Sequence, residues 1–151
     1  MTVLGLRCSN HGYSYVILEG TKEKPSVRAQ QTVSSPKGFA KAPRLKWMCH
    51  ELTDLCRKDN VDAVCMKGSE GLAARGSAFV ERTEMEAIVF YAANELGIKP
   101  VFKKVKSTIA KDLGQKGKAK YLLTMDTSAF PELAGMDGTT QEAALAAWSA
   151  M

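Results

Sequence analysis

A chain of 151 residues has the length of one domain and can bury a real core. Its residues are 45% hydrophobic and 25% charged, which excludes a disordered or low-complexity chain. The formal net charge of +5 favours anionic partners, nucleic acid first, although it equally fits a basic surface that binds nothing. No apolar run approaches the roughly 20 residues that cross a bilayer, and Met1–Asn10 shows no basic segment followed by a long apolar one. A cytoplasmic protein with no membrane partner is expected. Cys8, Cys49, Cys56 and Cys65 form no CxxC pair, so they read as small buried apolar residues rather than zinc ligands or disulfides.

Val3–Cys8 and Tyr13–Leu18 read as two strands joined at His11-Gly12, a hairpin. Val27–Val33 gives a third strand, and Ser34–Lys41 is a loop rich in Ser, Pro, Lys and Gly. Leu45, Met48, Cys49, Leu52 and Cys56 recur at helical spacing and predict a helix. Val61–Met66 is short, apolar and β-branched, as a central strand requires. Ser69–Ser77 reads as a loop. The spacing of Thr83 and Glu86 fits a capping box, opening a helix that buries Met85, Ile88, Val89, Ala92 and Leu96 and stops at Gly97. Pro100–Val105 is a further strand. Ser107 is placed to cap a short helix ending before Gly114. Thr139 and Glu142 repeat the capping-box spacing ahead of an Ala-rich helix that runs to the end.

The order β-β-β-α-β-α-β-α-α predicts an α/β fold with a mixed sheet, covered by helices on both faces. This is the ribonuclease H-like architecture, as a single domain over residues 1–151. Right-handed crossovers put the strand ending at Lys67 beside the first strand.

Several segments resemble the RuvC-type branch of the ribonuclease H-like superfamily, whose founding members resolve Holliday junctions. Val3-Leu4-Gly5-Leu6, followed by Gly12-Tyr13-Ser14-Tyr15-Val16-Ile17, is similar to its opening hairpin. Val105-Lys106-Ser107-Thr108-Ile109-Ala110-Lys111 with Gly117-Lys118-Ala119-Lys120 is similar to its segment before the penultimate helix. Ala143-Ala144-Leu145-Ala146-Ala147 is similar to its terminal helix.

The resemblance implies a nuclease whose carboxylates hold two divalent metals. The family's aspartate at the end of the first strand falls on Arg7, and its glutamate after the first helix falls on Lys67. The acids of its terminal helix fall on Thr140 and Ala143. Glu142 is off by one residue, about 100° around the helix. No standard metal site and no cofactor is therefore expected, and no residue is assigned a catalytic role.

Three functions stay open. Arg7 and Lys67, close together, could form an anion pocket with Ser9, Asn10 and Ser69, the natural ligand being a nucleic-acid phosphate or another phosphate-bearing anion. The two cations could instead be paired internally with Glu70, Asp112 or Glu142, which suits a structural or protein-interaction module. A nuclease with a relocated metal site would need those same three acids together.

Lys103, Lys104, Lys106, Lys111, Lys116, Lys118 and Lys120 form a second candidate nucleic-acid surface. No aromatics interleave between Phe102 and Tyr121, so the tract offers no stacking platform, and a solvated surface is the alternative. Cys8 and Cys65 are expected to face each other across neighbouring strands, with Arg7 able to lower a thiol pKa. Trp47 and Trp148 should pack on helices. An exposed Trp148 would instead mark a homodimer face.

Overall fold

The structure, a computed structural model, describes residues 1–71, 76–116 and 118–151. Part of the segment read as a loop at Ser69–Ser77, and Gly117, lie outside them. The elements are β1 (Thr2–Cys8), β2 (Gly12–Thr21), β3 (Lys24–Ser34), α1 (Lys41–Lys58), β4 (Ala63–Lys67), α2 (Ser77–Glu95), β5 (Val101–Lys104), α3 (Lys106–Asp112) and α4 (Gly138–Trp148). Short 3₁₀ helices at Ala119–Leu123 and Pro131–Gly135, not foreseen from sequence, fill the run between α3 and α4.

The sheet order is β3-β2-β1-β4-β5, with β1–β2 and β2–β3 antiparallel and β1–β4 and β4–β5 parallel. This is the expected mixed sheet, with the strand ending at Lys67 beside β1. Alternation along the strands divides the core in two. Leu4, Leu6 and Cys8 of β1 and Val64 and Met66 of β4 face α1 and α2, against Met48, Leu52, Met85 and Val89. Val3, Ala63 and Cys65 face the other way, against Ala143, Ala146, Ala147 and Trp148 of α4. Cys8 and Cys65 thus lie on opposite faces and do not confront each other. All four cysteines are free.

Gly5 explains why α4 is made of alanines. A Cβ at Gly5 would lie 2.0 Å from the Ala143 carbonyl oxygen and 2.8 Å from Ala147 Cβ. The helix backbone rests directly on β1, and only small side chains permit that approach. Trp148 closes the layer. It is buried, stands edge-to-face with Phe130 at 5.5 Å, and donates its indole N–H to the Lys22 carbonyl at 2.8 Å. It is not a dimer face.

Three helix starts differ from the sequence reading. α2 begins at Ser77, where the Gly76 carbonyl accepts from the N–H groups of Phe79 and Val80. Thr83 is already inside the helix and donates to the Phe79 carbonyl at 2.9 Å, so Thr83 and Glu86 form no capping box. Asp137, not Thr139, caps α4, accepting from Thr140 N–H at 2.8 Å. Ser107 lies within α3 and leaves the capping position to Val105, which makes no side-chain cap. Among the described residues, no helix is long and apolar enough to cross a membrane.

Candidate functional site

The last paired rung of β1 and β4 joins Leu6 to Met66. Arg7 and Lys67 are the next residues on each strand. Strand alternation turns both toward the α3–α4 face at one end of the sheet. Neighbouring strands lie about 5 Å apart, and two unit charges at such a separation repel by about 3 kcal/mol at an effective dielectric constant near 20. Counter-ions are therefore built in.

Arg7 Nε donates to Glu142 Oε2 at 3.0 Å, and a second donor nitrogen of Arg7 reaches the Cys8 carbonyl at 2.9 Å. Lys67, only 3% exposed, places Nζ 2.7 Å from Glu70 Oε1 and donates to the Gly68 carbonyl at 2.5 Å. Lys106, at the start of α3, ties the two pairs together. Its Nζ lies 3.4 Å from Glu142 Oε1, and its backbone N–H donates to Glu70 Oε1 at 3.2 Å. Partial burial pushes the Glu142 carboxyl upward, but the Arg7 hydrogen bond and the charges of Lys67, Arg7 and Lys106 outweigh it and hold the group below the usual range. Glu70 is held low in the same way. Partial burial raises it, and the hydrogen bonds from Lys67 and the Lys106 backbone overcome that.

These groups surround an open cavity of about 420 Å³. Arg7, Lys67, Ser9, Asn10 and Ser69, the residues singled out from sequence, all line it, together with Arg82, Lys106, Glu70 and Glu142. Arg82 escaped the sequence reading because its surroundings looked like a helix start. The signal was its i,i+4 spacing to Glu86. Arg82 Nε donates to Glu86 Oε1 at 3.0 Å and another of its nitrogens donates to the Lys67 carbonyl at 3.0 Å. Glu86 is 1% exposed, and Lys103 Nζ sits 2.5 Å from its second oxygen. A carboxylate this buried requires both cations.

The seven lysines do not form one surface. Lys103 and Lys104 are consecutive on β5 and point to opposite faces, Lys103 to Glu86 and Lys104 to Asp112 at 2.8 Å and to Ser149. Lys106 belongs to the cavity. Lys111, Lys116, Lys118 and Lys120 stand exposed.

The donor set does not fit the metal pair that the fold implies. Asp112 is engaged by Lys104 and does not line the cavity, so Glu70, Asp112 and Glu142 do not gather into a relocated site. Among the described residues, no three His, Cys, Asp or Glu side chains converge as metal ligands. Both oxygens of Glu142 already face cations, and Arg7 and Lys67 bring positive charge to the cavity where a hard metal ion would need oxygen ligands. Nor is a reactive thiol present beside Arg7. Burial pushes Cys8 up to about 12, outweighing the lowering field of Arg7, and pushes Cys65 up to about 11.

No family model matches the chain, and no curated protein does. Solved structures do. RuvC of Thermus thermophilus superposes with a TM-score of 0.76 at 14% identity, over 99% of this chain and 92% of that one. T. thermophilus RuvC in complex with a Holliday junction substrate gives the same score and identity, over 99% and 91%. The yeast mitochondrial Holliday junction resolvase Ydc2 gives 0.60 at 15% identity, over 97% and 76%. With the topology, these likenesses establish the architecture: the chain carries a RuvC-like ribonuclease H fold.

Proposed function

We propose that residues 1–151 form one ribonuclease H-like domain, catalytically degenerate, that binds a phosphate-bearing anion without cleaving it. Nucleic acid is the foremost candidate. The observation that carries this reading is the charge of the cavity wall, where Arg7, Lys67, Arg82 and Lys106 outnumber Glu70 and Glu142, and where Glu86 behind Arg82 is shared with Lys103 outside the wall. Two cations are in excess, and the hydroxyls of Ser9 and Ser69 and the amide of Asn10 supply neutral donors beside them. Glu70 and Glu142 act as internal anions that an arriving phosphate displaces. That T. thermophilus RuvC forms a complex with a Holliday junction supports nucleic acid as the source of the phosphate.

The test is fluorescence anisotropy with labelled single-stranded and four-way-junction DNA, and with RNA, at low salt. Binding should fall at least about tenfold in Lys67→Glu, and Mg²⁺ or Mn²⁺ should produce no cleavage. Absence of binding at low salt, or metal-dependent strand scission, rejects the reading.

A second reading has its own observation. Arg7 and Lys67 each already have a carboxylate within 3.0 Å, as a structural or interaction module with internally satisfied charges requires. Its natural partner is a second copy of the chain. α2 leaves three large apolar side chains exposed, Val80, Phe90 and Tyr91. Light scattering should then report a dimer that Phe90→Glu converts to a monomer. A monomeric parent at micromolar concentration removes this reading. The free cysteines support a reducing compartment, and we place the protein in the cytoplasm.

A further inference from the structure

A second cavity of about 390 Å³ adjoins the first, and Lys106 and Glu142 form the wall between them. Its chemistry is different. Leu122 and Leu123 of the 3₁₀ helix and Leu145 of α4 line it, together with Lys120 and Gln141. Leu123 is 89% exposed, the most exposed large apolar side chain among the described residues.

We infer that this second cavity receives the base of an unpaired nucleotide whose phosphate lies in the first. The inference rests on the reading of the first cavity as a phosphate site. The two compartments match the two halves of a nucleotide in polarity and adjacency. The anionic group meets Arg7, Lys67 and Lys106, and the flat apolar faces of the base lie between aliphatic side chains. Among the described residues the Gln141 side chain makes one hydrogen bond, a long 3.5 Å contact from its amide nitrogen to the Leu133 carbonyl, and it can turn to the polar edge of the base. A base paired in a duplex cannot enter a slot of this kind, so the preferred ligand is single-stranded. The lysine tract has no aromatics between Phe102 and Tyr121, and the 3₁₀ helix that carries Tyr121 lines the second cavity with Leu122 and Leu123 instead.

The experiment compares oligothymidylate, oligouridylate and an abasic sugar-phosphate strand of equal length by fluorescence anisotropy at low salt. The base-bearing strands should bind about tenfold more tightly than the abasic one, the gain from removing roughly 55 Å² of apolar base surface from water. The thymidylate and uridylate arms separate DNA from RNA as its source. Leu123→Ser, at an exposed position that does not threaten folding, should abolish the gap and leave abasic binding unchanged. Lys67→Glu should weaken all three strands. If the abasic strand binds as tightly as the others, or Leu123→Ser changes nothing, the base slot is overturned while the phosphate site stands. If no strand binds, or Lys67→Glu is without effect, both are overturned.

Discussion

Glu142 shows how a single side chain can redefine a site. By the sequence resemblance alone it lies one residue from Ala143, where an acid of the terminal helix is expected, and should point elsewhere. In the structure its carboxylate is long enough to swing back to Arg7, while Lys106 takes the other oxygen. Because folding lowers the pKa of Glu142 and Glu70, their contribution to stability is complete above about pH 5 and fades as pH drops through the folded-state values below the usual carboxylate range of about 4. Glu142→Gln should therefore cost about 1 kcal/mol at pH 7, the scale of a partly exposed ion pair, and almost nothing at a pH well below the lowered folded-state value. Urea unfolding at the two pH values measures this, and a gap that persists at low pH contradicts it. The same substitution should strengthen phosphate binding at pH 7, since it removes the internal competitor. Titration with inorganic phosphate followed by calorimetry reads that change.

At the level of elements, what could be read from the sequence and what could not divide along a physical line. The strands, the order of helices and the β1–β4 neighbourhood follow from alternation, helical periodicity and crossover handedness, which are local rules or rules of chain path. The two apparent capping boxes misled for one shared reason. Glu86 and Glu142 have the right spacing to cap a helix, but Glu86 is drawn to Arg82 and to Lys103 on β5, and Glu142 to Arg7 at the far end of the sequence. A pattern over four residues cannot sense a partner from another element. The α2 start was hidden because a glycine-bearing segment reads as loop even where Gly76 serves as the cap. Arg7 and Lys67 were visible as residues out of place, whereas Arg82 was not, since nothing nearby marked it as part of a site. Two substitutions test this level. Gly5→Val should cost about 3 kcal/mol or more by forcing α4 off β1, seen as a lowered thermal midpoint. Glu86→Ala should cost about 3 kcal/mol, because Arg82 and Lys103 lose the buried carboxylate between them. Wild-type midpoints in either variant would refute the packing and pairing described.

For the whole molecule, the net charge of +5 overstates what a ligand meets. Lys103 and Lys104 are neutralised by acids on opposite faces of the sheet, and the cavity wall offers an excess of only two cations. Binding of single strands should thus release about one to two counter-ions, giving a slope of log K against log salt near −1.4. A slope several times steeper would show that exposed Lys111, Lys116, Lys118 and Lys120 also grip the backbone. Salt titration of the anisotropy signal decides between the two.

Arg7 and Lys67 are adjacent because β1 and β4 run parallel in a fixed register, and that adjacency does not depend on what the side chains carry. Reversing both, with Arg7→Asp and Lys67→Glu, would deprive Glu70 and Glu142 of their main partners and set four carboxylates around one cavity. Such a variant should be unstable alone and recover its thermal midpoint on adding Mn²⁺, whereas the parent should not respond. The scaffold decides where charge collects, and two side chains decide its sign.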